Sequence, residues 1–384
     1  MSVVDIPLAS RTLSVEPGAR IEFGAGTLVA LPDAVASVGQ TRAFVVTDPG
    51  LRAAGVLGRV LSVLTAAGVE HAVFDGVRAN PTTDDLDVAG RQARAFGDAA
   101  VVAVGGGSAL DAAKGIALLA RNPGSATEFD YRRQPPGDGL PVVAVPTTAG
   151  TGAETNGFGV IEDPAARCKV YVGHASVRPR VCILDPELTV GLPRAATAAT
   201  GIDALVHGIE SLASRGSSPL SAAYAAQAVA MVSRWLPVAV EDGTDLEARA
   251  QLLLGSHLAG RALTLSGLGL VHGIGHSVTN HFGTAHGVAL AGVLPEVMAW
   301  SAQGSATARA AYATAALVMG VPDAVVAARE LAVGIGVRRP LRELGLTPGT
   351  VAGVARGAVE DVVTANSPRR PTQDDVEALL RSAY

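Results

Sequence analysis

The chain has 384 residues, a formal net charge of −5 and 48% apolar residues, more than one ordinary core accommodates, so two domains with separate interiors are expected. Lys and Arg are scattered and the balance is acidic, which leaves no electrostatic footprint for nucleic acid or an anionic membrane. No uncharged apolar run reaches the roughly 18 residues that span a bilayer. The opening stretch Met1 to Leu8 has no basic segment followed by an apolar core, and two cysteines, Cys168 and Cys182, cannot build a disulfide framework. A cytoplasmic protein with reduced thiols is expected, with no catalytic role for either cysteine.

From Arg20 to about Thr189 short β-rich runs alternate with Ala- and Leu-rich segments, the pattern of an α/β domain. Arg42 to Asp48 is a strand run that ends at an acidic residue before a Pro49-Gly50 turn and a helical Leu51–Ala67. An Asp at that place holds a ribose diol in dinucleotide-binding folds, and it serves equally as a helix cap. After the Val69–Val77 unit, Asn80-Pro81-Thr82-Thr83 with Asp84 and Asp85 reads as a turn and helix N-cap.

The next unit is more informative. Asp98–Val104 is a buried strand, Gly105-Gly106-Gly107-Ser108 follows directly, and Ala109–Ala120 has helical composition. Strand, glycine turn and helix bring backbone N–H groups up to a phosphate, although the same turn also serves plain strand-to-helix connections. The spacing matches neither Gly-x-Gly-x-x-Gly nor a Walker A loop. Leu140–Val145 is a further strand, leading into Pro146-Thr147-Thr148-Ala149-Gly150-Thr151, whose small residues and hydroxyls suit either a polar ligand or a satisfied loop. Phe158–Ile161 and Val181–Leu184 complete the strands, and Asp185-Pro186-Glu187 closes the region.

From Leu192-Pro193 onward, Arg194–Ser214, Pro219–Val240, Asp245–Ala262, His272–His281 and Ala306–Met319 carry helical spacing, so the second half reads as an all-helical domain. The stretch Val271–Gly287 holds His272, His276, His281 and His286, half of the eight histidines. Such density suggests a transition-metal site, and packing alone also clusters histidines. Asp203 and His207 lie four apart on one helix face, as do His272 and His276, so each pair can grip one ion. Asp203 and His207 alone read first as an ordinary helix-surface pair.

Taken together, Asp203-x-x-x-His207, His272-x-x-x-His276, His286-Gly287, Gly105-Gly106-Gly107-Ser108, Pro146 to Thr151 and Asp185-Pro186-x-Leu188 resemble the iron-containing (group III) alcohol dehydrogenases. The resemblance runs from about Gly24 to Pro368-Arg369. It implies a Rossmann-like α/β dinucleotide-binding domain over 1–188, a helical metal-binding domain over 189–384, and a site between them. It implies Asp203, His207, His272 and His286 as metal ligands, with His276 near the metal and relaying a proton. His281 falls outside the pattern and is expected to be structural.

The same resemblance gives Gly106, Gly107 and Ser108 the pyrophosphate, Asp48 and Asn80 the adenosine side, and Asp111, Thr147, Thr148, Thr151 and Lys169 the rest of the nicotinamide dinucleotide. The implied activity is NAD(H)-linked interconversion of a small alcohol and its aldehyde with Fe(II), or Zn(II) or another divalent ion. NADP(H) is disfavoured because Asp48 would repel its 2′-phosphate. A homodimer is expected. Polyol dehydrogenase or dehydroquinate synthase-like lyase chemistry is the alternative on the same architecture, and Asp203 in place of Glu argues against the lyase. A metal- and nucleotide-binding protein without turnover is the alternative of another class. Departures from the family pattern at Thr155-Asn156, Leu263, Val278-Thr279-Asn280 and Ala285 remove no ligand and fall where the substrate would bind.

Overall fold

The computed structural model describes Val15, Pro17–Ala166 and Cys168–Tyr384. Two compact units result: Pro17–Thr148 with Gly152–Gly191, and Leu192–Tyr384 together with Ala149–Thr151.

In the first unit six strands form one parallel sheet: β1 (Arg20–Phe23), β2 (Arg42–Val46), β3 (Glu70–Phe74), β4 (Ala100–Gly105), β5 (Val142–Pro146) and, after a hairpin, β8 (Val181–Leu184). The spatial order is β1-β8-β5-β4-β2-β3, every pair parallel. The two central strands, β4 and β5, are buried along their whole length, which is why they read as continuous Val/Ala runs. Helices α1 (Leu31–Ser37) and α3 (Val56–Ala66) pack Leu31, Val35, Leu57, Val60 and Leu64 against Val45, Val102, Val104, Val143 and Ile183. Helix α2 (Pro49–Ala53) precedes α3, and α4 (Thr83–Phe96) packs on α5 (Gly107–Arg121).

The sequence pattern merges α2 and α3 into one helix. The chain breaks there because Gly55 takes a left-handed φ of 79°, which glycine adopts without a Cβ clash. The expected cap before α4 is present as a reciprocal box between Thr82 and Asp85. The antiparallel hairpin of β6 (Phe158–Asp163) and β7 (Cys168–Gly173) is half unannounced, since the charged start of β7 lacks an apolar alternation.

The topology fixes where a ligand belongs. β2 connects outward to β3 on one side, whereas β4 connects through α5 to β5 on the other, so the winding reverses between β2 and β4. Ligands of open α/β sheets bind outside the carboxyl ends of strands at such a reversal. Asp48 follows β2 there, and Gly106, Gly107 and Ser108 follow β4.

The second unit is helical: α6 (Arg194–Ala213), α7 (Pro219–Glu241), α8 (Leu246–Ser266), α9 (Leu270–Phe282), α10 (His286–Gly304), α11 (Ala306–Met319), α12 (Ala324–Gly334), α13 (Val351–Glu360) and α14 (Gln373–Ser382). Every residue of α6 from Gly201 to Ala213 is buried, so α6 is the axis on which α7, α8, α10 and α11 pack. No single helix among the described residues is long and apolar enough to cross a membrane.

Candidate metal centre and nucleotide site

Three helices bring the candidate ligand side chains together. α6 presents Asp203 and His207 one turn apart, α9 presents His272 in its first turn, and His286 opens α10. α10 reaches α6 because residue 287 is glycine: a Cβ there would lie 1.8 Å from the Ala199 carbonyl oxygen, inside van der Waals contact. That close crossing sets His286 beside Asp203.

Asp203 Oδ1 lies 3.3 Å from His207 Nε2, 3.4 Å from His272 Nε2 and 3.8 Å from His286 Nε2. Asp203, His207 and His272 are buried and offer ligand atoms all within 4.8 Å of one another. Both Asp203 Oδ1 and His272 Nε2 are buried without a hydrogen-bond partner. These atoms converge on a common point instead of bonding to each other. The rings of His207 and His272 stack at 4.8 Å, and His276 stacks on His286 at 5.3 Å.

Electrostatics follow from burial and mutual charge. Burial alone would raise Asp203, but His207, His272 and His286 around it hold its carboxyl well below the usual range. Burial pushes His207 down to about 4, outweighing the attraction of Asp203. His272 goes the other way, up to about 9, because burial, which opposes its charged form, is outweighed by the adjoining Asp203 and Glu210 carboxylates, which favour it. The donor set of one carboxylate and three imidazoles suits a borderline divalent cation.

Two carboxylates that sequence reasoning passed over orient these histidines. His272 Nδ1–H donates to Glu210 Oε2 at 2.6 Å, and His276 Nδ1–H donates to Asp361 Oδ2 at 2.8 Å. Burial opposes the Asp361 charge, and the His276 hydrogen bond still holds its carboxyl below the ordinary value. Glu210 was detectable from spacing, seven residues after Asp203 on the same face, whereas Asp361 comes from a distant loop with no sequence signal. His281 donates through Nδ1 to the Ser277 carbonyl at 2.8 Å, a local helix contact.

At the sheet reversal the structure gathers several of the residues expected at a nucleotide. Gly106 is the N-cap of α5 and carries no side-chain cap, so the first amides of α5 are open to a ligand. Thr148 stands beside it, 3.2 Å from where a Gly106 Cβ would be. Ser108 Oγ donates to the Ala79 carbonyl, next to the exposed Asn80. Asp48 accepts from Leu51 N at 3.1 Å and so caps α2 with Oδ1, while Oδ2 lies 3.5 Å from where a Gly105 Cβ would be. Thr147 is buried, with its amide on the Gly105 carbonyl.

Other residues are engaged inside the protein. Asp111 Oδ1 pairs with Lys114 at 2.9 Å and Oδ2 accepts from Val160 N at 3.0 Å, fastening the hairpin to α5. Lys114, absent from the sequence reading, is 0% exposed and also donates to Ala153 O and Asn156 Oδ1, each at 2.9 Å. A lone lysine in an Ala/Leu/Gly helix, three residues after an Asp, was its signal. Lys169 is half-buried on β7 opposite Glu162, and Thr151 groups with the helical unit.

The family described as iron-containing alcohol dehydrogenase matches residues 18–186, and its C-terminal counterpart, the Fe-containing alcohol dehydrogenase family, C-terminal, matches 197–384. The chain belongs to the iron-containing alcohol dehydrogenase family. It is an oxidoreductase of alcohol dehydrogenase type. It is 33% identical over 369 residues to the NAD-dependent methanol dehydrogenase of Bacillus methanolicus, covering 94% of this chain and 97% of that one. To the lactaldehyde reductase of Escherichia coli (strain K12) it is 34% identical over 375 residues, with 94% and 97% covered. The crystal structure of a 1,3-propanediol oxidoreductase superposes with a TM-score of 0.91 at 31% identity, covering 96% and 98%. For an iron-containing alcohol dehydrogenase the four convergent groups on α6, α9 and α10 fit a divalent ion, because Asp203 Oδ1 and His272 Nε2 face each other in that group, buried and without a hydrogen-bond partner.

Proposed function

We propose that this alcohol dehydrogenase interconverts a small alcohol and its aldehyde with NAD(H), using Asp203, His207, His272 and His286 to hold a divalent ion, with Fe(II) first and Zn(II) next among the ions this donor set accepts. The observation that carries the reading is the buried, partnerless pair of Asp203 Oδ1 and His272 Nε2. Leaving such atoms unpaired costs about 1–3 kcal/mol each, and one cation satisfies both.

When bound, the ion supplies Lewis acidity that makes an alcohol O–H more acidic or polarises a carbonyl. The nicotinamide, when bound, accepts or returns the hydride. The residues of the chain do the rest. Asp203 is the one carboxylate in the ligand set, so the centre keeps positive charge for a developing oxyanion. His276 has Nδ1 committed to Asp361, which leaves its other ring nitrogen to exchange the alcohol proton. Asp361 is then a positioning residue that fixes the tautomer. The open amides at the start of α5 receive the pyrophosphate, and Asp48 and Asn80 the adenosine side, with Thr147, Thr148, Thr151, Asp111 and Lys169 contributing to the cofactor's surroundings. The placement of Asp48 at the carboxyl end of β2 supports NAD over NADP.

Self-association into a homodimer is supported by β1, which pairs among the described residues only with β8 and leaves Ile21 and Phe23 exposed on an open edge. A cytoplasmic location is supported by the two free thiols. The test is an anaerobic panel of alcohols and aldehydes with both cofactors after loading Fe(II) or Zn(II). Turnover with NADH preferred is expected. A preference for NADPH contradicts the role of Asp48, and no turnover with any substrate contradicts the enzymatic reading for this centre.

A further inference from the structure

We propose that Glu210 is a second carboxylate of the metal centre, a positioning residue that acts through His272 and ties together the two helices on which three of the four ligands stand. The inference rests on the reading of Asp203, His207, His272 and His286 as a metal centre.

Glu210 follows Asp203 by seven residues and His207 by three, so α6 turns all three toward the same side. Its carboxylate is 7% exposed and accepts three hydrogen bonds from the start of α9. Oε2 takes Gly269 N at 3.1 Å and His272 Nδ1–H at 2.6 Å, and Oε1 takes Val271 N at 2.7 Å. α9 has no cap of its own, because Gly269 at its N-cap has no side chain. Glu210 is therefore the cap, supplied from another helix, with its negative charge at the positive end of α9.

The consequence for the centre lies in the imidazole. A neutral ring that keeps its proton at Nδ1, donated to a carboxylate, presents its lone pair at Nε2, so the proton the ion displaces is the one on Nε2. In His272 that nitrogen is the partnerless buried atom 3.4 Å from Asp203 Oδ1. The same carboxylate that caps the helix thus selects the ligating tautomer. Its charge needs a further explanation, since a neutral acceptor could cap equally well and no lysine or arginine pairs with Glu210 among the described residues. Once an ion displaces the His272 proton, Glu210 is a buried carboxylate beside a neutral ring, which is costly. A divalent ion held at His272 Nε2, one imidazole away from Glu210, offsets part of that cost, while Asp203 stays the one carboxylate in contact with the ion.

Co(II) serves as the probe because its visible absorption reports coordination geometry. The metal-stripped protein, Glu210→Gln, Glu210→Asp and Asn366→Ala are titrated with Co(II), and the NADH affinity and thermal midpoint of each are measured. Asn366→Ala is the structural control: it frees the Ser266 and Leu268 carbonyls just ahead of α9 without touching a ligand. Glu210→Gln should weaken Co(II) binding about 10- to 100-fold with NADH affinity unchanged. Glu210→Asp, which keeps the charge, should recover part of the loss. Asn366→Ala should lower the midpoint and leave Co(II) affinity as in the wild type. Wild-type affinity in Glu210→Gln, or an equal loss in Asn366→Ala, overturns the proposal. Should Glu210→Gln not fold, ¹⁵N-histidine spectra of the Zn(II)-loaded wild type decide: a proton on His272 Nδ1 supports it, and one on Nε2 overturns it. A wild type that binds no Co(II) overturns instead the metal-centre reading on which the proposal stands.

Discussion

At the carboxyl ends of β2 and β4 the groups left open are backbone amides and small residues, and the charged side chains nearby are already used by the fold: Asp48 caps α2, and Asp111 is fastened to Lys114 and Val160. In the helical unit the reverse holds. There the backbone is satisfied inside helices, and what stays open is side-chain oxygen and nitrogen, Asp203 Oδ1 and His272 Nε2. The α/β unit prepares its binding surface by shape and topology, so side-chain substitutions there should act mainly on stability. The helical unit prepares its site by chemistry, so substitutions there should act mainly on metal and turnover.

The largest expected effect tests the second half of that contrast. His207→Ala should bring metal content to background and lower kcat/KM by at least about a thousandfold, with NADH binding within about twofold of wild type. Retained metal would remove His207 from the ligand set. Next, Lys114→Met should leave Asp111 without its cation and cost about 2–3 kcal/mol, lowering the thermal midpoint by roughly 5–10 °C while metal content stays unchanged. An unchanged midpoint would show that the buried lysine does not hold the hairpin to α5. Between the two lies Asp361→Asn, which should lower kcat about 10- to 100-fold at full metal occupancy by losing the His276 tautomer. A loss of metal in that variant would place Asp361 with the ligands' supports instead.

The smallest effect is a pH dependence. In the metal-free protein His272 is raised to about 9 from an ordinary 6.5. A folded pKa above the unfolded one stabilises fully below about 6.5, and the contribution is lost as pH rises through about 9. The metal-free thermal midpoint should therefore decline by a few degrees over that window. Metal binding must displace the same proton, so affinity should tighten about tenfold per pH unit there. An affinity flat across the window would contradict ligation through His272.

The same contrast explains what could be read from the residues. The parallel strands β4 and β5 and the helices α6 to α9 announce themselves by apolar runs and helical spacing, and the metal group does so by residue type, because a ligand must be His or Asp wherever the chain brings it from. Roles carried by the backbone leave little trace: the first amides of α5 are open by position, and only the glycines hint at it. Asp361 and Lys114 escaped notice for another reason. Asp361 draws its importance from His276, 85 residues away, and Lys114, for which Asp111 three residues earlier is the one local hint, from Asn156, 42 residues away. α10, α12, α13 and α14 are also absent from the sequence expectations, and α10, which begins at His286, runs through Pro295 as α7 runs through Pro237.

The most direct test strips the protein of metal with a chelator and titrates Fe(II) back anaerobically while following NADH oxidation with an aldehyde substrate. The account predicts no turnover in the stripped protein and activity that rises in proportion to ion bound, with His207→Ala inert throughout. Full activity in the metal-stripped wild type would contradict it.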